Sequence, residues 1–374
     1  MIALAFLPLA IWIFLLFGRG MFWLARDRDD LNEPAEPKTW PSVTAVVPAR
    51  DEADVIARSI GSLLAQDYPG AFNVILVDDQ SSDETSAIAR TLPSQERLTI
   101  VGGSSRPAGW TGKLWAVRQG IAQAGTPDYL WLTDADIAHA PENLRKLVAR
   151  AESGKLVLVS LMAKLHCKSF AEKLMIPAFV FFFDMLFPFA LVNRPKNSTA
   201  AAAGGCMLVK RDALERAGNI DAISREIIDD CALGRAMKRQ GPIWLGLTNR
   251  SVSIRPYEGL GEIRRMIARS AYAQLHYSPL ELAGTVFGMS LLFVAPLVAA
   301  IFASGLAQIA GALAWLAMAI AFVPMLRFYK LSPLWGAVLP VIGILYTAFT
   351  FDSAIQFWRG RGGMWKGRAQ AIRA

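Results

Sequence analysis

The sequence predicts an α/β domain on a mostly parallel sheet, set between apolar segments of membrane length. Short apolar runs alternate with amphipathic stretches from Val43 to about Pro256, the order expected of a sheet covered by helices on both faces. Outside that region, residues 282–326 form a run of 45 residues without a charge, and residues 331–351 add 21 more. A span needs about 20 residues. The whole chain of 374 residues is 53% hydrophobic and 19% charged, with mean hydropathy +0.33. That is too apolar for an average soluble domain.

From the N-terminus, residues 1–18 are uncharged and Arg19, Arg26 and Arg28 follow. A secretory signal has the opposite charge order and a small-residue cleavage site. The segment therefore reads as an uncleaved transmembrane anchor whose C-terminal flank faces the cytoplasm. Residues 19–41, with Pro34, Pro37 and Pro41, read as a linker.

Residues 42–256 form the expected α/β domain. Its strands are read at Val43–Val47, Val74–Val77, Leu98–Val101, Tyr129–Thr133 and Leu156–Leu161, and its helices at Ala53–Gln66, Leu114–Ala124 and Pro141–Glu152. Residues 174–192 are apolar and aromatic but hold Asp184, Pro177 and Pro188, and read as an interfacial segment. Residues 257–281 form a membrane-proximal helical stretch, 282–351 a region of two or three transmembrane helices, and 352–374 a basic tail. The net charge of +8 suits an anionic membrane surface. Nucleic acid is excluded as the partner, because no recognition motif accompanies the charge. Cys167, Cys206 and Cys231 show no metal-like spacing, so a reducing compartment is expected.

Five stretches carry chemistry. Pro48-Ala49-Arg50-Asp51-Glu52 follows the first strand; it reads as a helix start capped by Asp51 or as a loop that meets a nucleotide base. Asp78-Asp79 ends the second strand, where an aspartate can accept from a uracil N–H or a ribose hydroxyl. Asp83 or Ser82 can equally cap the next helix. Lys113 stands in the Gly-rich Gly109-Trp110-Thr111-Gly112 start of a helix, where anions are favoured. Thr133-Asp134-Ala135-Asp136 closes the fourth strand. Two carboxylates spaced i, i+2 can hold Mg²⁺ or Mn²⁺ from one side and bridge it to phosphates. About 90 residues later, Asp229-Asp230 opens a helix that runs to about Gln240. Acidic residues are stabilised in a first turn, and a carboxylate there can also act as general base. His139, His166 and His276 are isolated and read as core or surface residues. Trp110 and Trp115 read as stacking platforms or packing residues.

In this order and spacing, these stretches resemble the family 2 glycosyltransferases with a GT-A fold, over roughly Val43 to Tyr277. Pro107-Ala108-Gly109-Trp110-Thr111-Gly112-Lys113 is similar to the ceramide glucosyltransferase-like branch. Ile228–Ala236, Ala268–Leu275 and Gly360–Arg368 resemble the hopene-associated members. The resemblance implies an inverting transfer of a sugar from a nucleotide diphosphate donor, a UDP-sugar, to a lipid hydroxyl of hopanoid type. Pro48, Arg50 and Glu52 would line the nucleotide pocket. Asp79, with Asp78 beside it, would contact the base, and Lys113 would lie near the nucleotide. Asp134 and Asp136 would hold the diphosphate through Mg²⁺ or Mn²⁺. Asp230 would be the general base, with Asp229 supporting it where the family usually has Glu. Gly204-Gly205 would form the loop beside the acceptor, with Arg269 on the acceptor side, and Arg269 or Lys113 would add positive charge at the leaving diphosphate.

The chain departs from the pattern twice. Arg118 stands where the family often has Asn, and no Gln-x-x-Arg-Trp surrounds Arg269. The second departure speaks against processive polysaccharide synthesis and for single transfer to a lipid. A polyprenyl-phosphate sugar transferase and a non-catalytic GT-A-like membrane scaffold are the alternatives; a dinucleotide oxidoreductase lacks G-x-G-x-x-G after the first strand. The expected location is the cell (inner) membrane, multi-pass, with the catalytic domain cytoplasmic.

Overall fold

The computed structural model describes residues 2–364 and Lys366. Of the basic tail, Trp365 and residues 367–374 lie outside the described residues, as does Met1. The chain forms two compact units. Residues up to Arg26, Cys167–Ala190 and residues from Tyr257 onward make a helical unit, and Asp27–His166 with Leu191–Pro256 makes an α/β unit.

The α/β unit is built on one eight-stranded sheet. Its strands are β1 (Val43–Ala49), β2 (Phe72–Asp78), β3 (Leu98–Gly102), β4 (Tyr129–Leu132), β5 (Ile137–His139), β6 (Leu158–Lys164), β7 (Met207–Lys210) and β8 (Ile243–Ser253). They are arranged in the order β3-β2-β1-β4-β7-β6-β8-β5. β1 to β4, β6 and β8 run one way, while β5 and β7 run the other. The sheet is therefore mostly parallel but mixed. The reversed strands are short and lack a long apolar run, which is why composition alone does not reveal them. β8 buries Ile243, Leu245, Leu247, Ser251 and Ser253 at every second position apart from Asn249, a partial period-2 signal of a strand.

Every residue of β1 and β4 is buried, as strands covered on both faces require. Helix Ile56–Leu64 turns Ile56, Ile60, Leu63 and Leu64 inward at helical spacing. They join Val47, Leu76, Trp131, Leu144 and Leu208 in the main core. Each such burial stabilises by about 1.5–3 kcal/mol relative to exposure. The helix starts later than expected. Asp51 sits at φ +50° and accepts from the Ser82 N–H at 2.7 Å; it is not the cap. Asp83 accepts from the first N–H of helix Thr85–Arg90, at Thr85, at 3.0 Å.

Beneath the turn after β4 lies a buried polar cluster. The His139 ring packs against Trp131, and its nitrogens meet the Thr133 and Ser251 hydroxyls at 2.9 and 3.0 Å. The Trp131 indole N–H donates to the Cys206 thiol at 3.3 Å. Burial pushes the imidazole down to about 3, so His139 is a neutral core residue.

In the helical unit, Phe170–Leu186 starts with a capping box of Ser169 and Glu172. Among the described residues, four helical stretches are long and apolar enough to cross a membrane: Phe170–Val192, Pro279–Phe302, Gly305–Phe328 and Pro333–Trp358. The first of these includes the segment expected to be interfacial. Helix Ile2–Gly18 has 17 residues. Arg264 pairs with Asp352, the acidic residue of the last long helix, at 2.9 Å.

The His139 site makes stability depend on pH. The unfolded chain takes up the imidazole proton near pH 6.5 and the folded chain near 3, so the unfolded state binds more protons in between. Stability therefore falls as pH drops below about 6.5, by up to roughly 1.4 kcal/mol per unit. Thermal unfolding of detergent-solubilised wild type and His139→Gln between pH 5 and 7.5 checks this. The wild-type midpoint should fall more steeply on acidification than that of the variant, and parallel curves would refute it.

Candidate active site

The site forms where the parallel strands end. Ala49, Asp78 and Leu132 close β1, β2 and β4, and the residues that follow each strand carry the charged groups. β7 is reversed, so the segment before it, Ala200–Cys206, arrives at this same end; Leu132 pairs with Met207. β8 also finishes here, where the Ile254 N–H donates to the Asp136 carbonyl at 2.9 Å. Ligands of such sheets bind beyond the carboxyl ends.

Lys113 is the hub of the cluster. Its ammonium lies 2.8 Å from Asp134 Oδ1 and 3.1 Å from Asp229 Oδ2. Burial works against its charge, but Asp134 and Asp229 more than offset this and hold the ammonium well above the usual lysine range. Asp230, beside Asp229 in the first turn of helix Asp229–Lys238, accepts from the Gly204 N–H at 3.0 Å and from the Cys231 N–H at 2.7 Å. Burial first, then the Asp229 carboxylate, push Asp230 up to about 6. Lys113 and the two N–H groups pull the other way. Pro48, Thr133, Asp134, Gly204 and Asp229 line one cavity with Lys113.

Asp136 faces Arg255 at 3.6 Å, and the same guanidinium pairs with Glu52 and, at 3.2 Å, with Asp54. Burial and the Asp134 charge raise Asp136, with Arg255 opposing. Arg255 was not legible as a site residue, although it stands two residues after the end of β8. On the β1–β2 side, Arg50 donates to the carbonyls of Asp79 and Gln80 and stands 3.8 Å from the Asp79 carboxylate. Asp79 is buried, while Asp78 accepts from the Ser81 N–H at 2.9 Å and from the Ser86 hydroxyl. The structure thus groups Lys113, Asp134, Asp229, Asp230 and Gly204, and forms two adjoining ion pairs, Arg255 with Asp136 and Glu52, and Arg50 with Asp79. Gly205 packs on Ile137 and Ala163. Arg269 belongs to the helical unit, at the C-cap of helix Leu260–Ala268. Arg118 pairs with Asp221 at 3.0 Å, and Trp110 packs edge-on against Trp115.

Among the described residues, no three His, Cys, Asp or Glu side chains are grouped to hold a metal ion unaided. Asp134 and Asp136 are nevertheless an all-oxygen pair, 34% and 30% exposed, with mutual repulsion that a cation would relieve. Such a pair fits Mg²⁺ or Mn²⁺ completed by water and phosphate oxygens.

Residues 44–218 match the model of the family described as glycosyl transferase family 2. This stretch is a glycosyl transferase family 2 domain. The chain is 35% identical over 124 residues to the succinoglycan biosynthesis protein ExoO of Rhizobium meliloti, covering 33% of each chain. It is 34% identical over 120 residues to the β-monoglucosyldiacylglycerol synthase of Synechocystis, covering 32% of this chain and 24% of that one. The matches thus span about a third and about a quarter of these relatives. Among solved structures, the mannosyltransferase PcManGT from Pyrobaculum calidifontis, in complex with GDP-Man and Mn²⁺, superposes with TM-score 0.58. It is 20% identical, and the match covers 98% of this chain and 99% of that one. The fold is GT-A.

Within the α/β unit, helix Asp229–Lys238 packs closely on the segment before Gly204. A Cβ on Gly234 would lie 2.7 Å from the Ala201 carbonyl carbon and 2.9 Å from the Ala202 nitrogen. Both are backbone atoms and cannot swing aside. Ala in place of Gly gains about 1 kcal/mol of helix propensity, but overpacking costs typically about 1–3 kcal/mol. Gly234→Ala is expected to lower the unfolding midpoint by a few degrees, roughly 2–4 °C per kcal/mol. A midpoint raised by the propensity gain would show that the helix is free to shift.

Proposed function

We propose that the protein is a membrane-bound, inverting glycosyltransferase that moves a sugar from a nucleotide diphosphate donor to a lipid hydroxyl. The carrying observation is Asp230: a carboxylate held by Gly204 N–H, tuned to about 6, in one cluster with Asp134. At neutral pH it is mostly ionised yet basic enough to take a proton, the property a general base needs.

In this reading Asp230 removes the proton of the acceptor hydroxyl as that oxygen attacks the anomeric carbon. Asp229 supports it by sharing Lys113. Asp134 and Asp136 would hold Mg²⁺ or Mn²⁺, which would supply Lewis-acid neutralisation of the leaving diphosphate when bound. Lys113, already between Asp134 and Asp229, adds positive charge on the donor side. Pro48, Arg50, Glu52, Asp78 and Asp79 line the nucleotide pocket, with a uridine diphosphate donor as first choice. For Asp79 to reach a base, Arg50 swings off it. Gly204-Gly205 borders the acceptor and Arg269 serves the acceptor side.

A lipid acceptor draws support from the four apolar helices, from the name of the Synechocystis relative, and from the missing Gln-x-x-Arg-Trp around Arg269. Within that class the ceramide glucosyltransferase-like branch and a hopanoid-type lipid are the finer assignment. The reading puts the enzyme in the cell (inner) membrane, multi-pass, with the family 2 domain cytoplasmic behind Arg19, Arg26 and Arg28. The bound Mn²⁺ and GDP-Man named for PcManGT agree with a metal-assisted nucleotide-sugar site.

The test is incubation of membranes holding the protein with radiolabelled UDP-glucose, UDP-galactose, UDP-N-acetylglucosamine and GDP-mannose, followed by lipid extraction. Label should enter the lipid phase. Label in a water-soluble polymer would favour a polysaccharide synthase, and no label anywhere would favour the scaffold. Asp230→Asn should cut transfer about 10²–10⁴-fold and leave donor affinity within a few fold, with Asp229→Asn milder. The wild-type rate should decline as pH falls through about 6, where Asp230 gains its proton. A flat profile down to pH 5 would remove Asp230 from the role.

The metal assignment is checked separately. Chelator should abolish transfer, Mg²⁺ or Mn²⁺ should restore it, and Asp136→Ala should lose donor binding while remaining folded. Full turnover in chelator would end that assignment.

A further inference from the structure

The loop that carries Gly204 is almost featureless in sequence. Ala200-Ala201-Ala202-Ala203-Gly204-Gly205 offers no side-chain hydrogen-bonding group of its own. Its shape depends on hydroxyls supplied by the sheet. Ser160, buried in β6, accepts from the Ala203 N–H at 2.8 Å and donates to the Ala203 carbonyl at 3.2 Å. Thr133, buried in the turn after β4, donates to the Gly205 carbonyl at 2.8 Å. These two residues flank Gly204, whose N–H donates to Asp230 at 3.0 Å.

The proton positions follow from the partners. A hydroxyl has one proton, and the Gly205 carbonyl can only accept. The Thr133 proton therefore goes to Gly205, and His139 Nε2, 2.9 Å away, carries a proton and donates to Thr133. His139 Nδ1 is then the acceptor. It receives from the Ser251 hydroxyl at 3.0 Å and the Asn143 amide at 3.2 Å. Burial, which keeps this imidazole neutral, favours that arrangement.

We propose that Thr133 and Ser160 are positioning residues for the transfer, fixing the Gly204 N–H on Asp230, with Thr133 also tying that loop to the neighbouring Asp134. The donor-side turn and the acceptor-side loop thereby keep one separation. This inference rests on the reading of Asp230 as the base. Removing the Ser160 hydroxyl leaves the buried Ala203 N–H unpaired, and removing the Thr133 hydroxyl takes the donor from the half-buried Gly205 carbonyl and the acceptor from the buried His139 N–H, losses costly enough to shift the loop. The Gly204 N–H that favours the ionised Asp230 then moves off, and Asp230 becomes harder to ionise.

The experiment uses the full chain in detergent or nanodiscs, with the nucleotide sugar that passes the membrane assay above. Wild type, Thr133→Val, Thr133→Ser and Ser160→Ala are compared for transfer rate against pH, and for binding of UDP or GDP with Mn²⁺. Thr133→Val should bind diphosphate within about threefold of wild type, lose about tenfold or more in turnover, and move the acidic limb up by about half a pH unit or more. Ser160→Ala should move the limb the same way and carries the test if Thr133→Val does not fold. Thr133→Ser should restore both readouts. Wild-type turnover with an unmoved limb in both truncated variants would overturn the inference, as would diphosphate binding lost in step with turnover. If wild type itself transfers no label, the functional reading fails instead, which is a distinct result.

Discussion

The site is organised by an excess of negative charge at one end of a sheet. Glu52, Asp134, Asp136, Asp229 and Asp230 converge there, while Lys113 and Arg255 supply the neighbouring cations. Like charges that close raise one another's proton affinity, as Asp229 does for Asp230 and Asp134 for Asp136. Lys113 relieves part of this by bonding to carboxylates from two different elements. Folding alone would not gather so many carboxylates, because each is costly to bury unpaired. The arrangement is reasonable for a surface built to receive a cation and a charged substrate.

Topology brings these groups together. Parallel strands deliver Asp78, Asp134 and the Arg50 loop to one edge by repetition of the same strand–helix unit. The two reversed strands add what repetition cannot. β7 feeds the Ala200–Cys206 segment in from the opposite direction, and the β5–β8 pair sets Arg255 against Asp136. The buried cluster of Thr133, His139, Asn143 and Ser251 then ties the underside of this edge together, since the His139 ring bonds to the other three, while the Asn143 side-chain oxygen stays unpaired.

Much of the charged cluster was legible because it sits at the ends of apolar strands, where a carboxylate interrupts an otherwise unbroken pattern. Asp78, Asp134 and Asp136 announce themselves that way, and Asp229-Asp230 by opening an amphipathic helix. The Ala200–Gly205 loop was singled out only through resemblance, since four alanines and two glycines carry no chemistry that spacing can reveal. Arg255, Thr133 and Ser160 act through partners over 200, about 70 and about 40 residues distant in the chain, and no local pattern encodes such pairings. Reading Asp51 as a helix cap failed for a related reason: a tertiary bond from Ser82 outweighed the local one. β5 and β7, of three and four residues, are too short for periodicity to register.

The three cysteines differ in a way that has a practical use. Cys206 and Cys231 have no solvent exposure, and burial pushes their thiols up, Cys206 to about 11. Thiolates are the reactive form, so both sulfurs are chemically quiet while the domain stays folded. Cys167, partly exposed, is the first residue of the helical unit after β6. Maleimide dyes and spin labels should therefore enter the native protein at a single point, on the chain's passage out of the sheet. Delayed labelling at the other two would time the opening of the domain, with no engineered cysteine required.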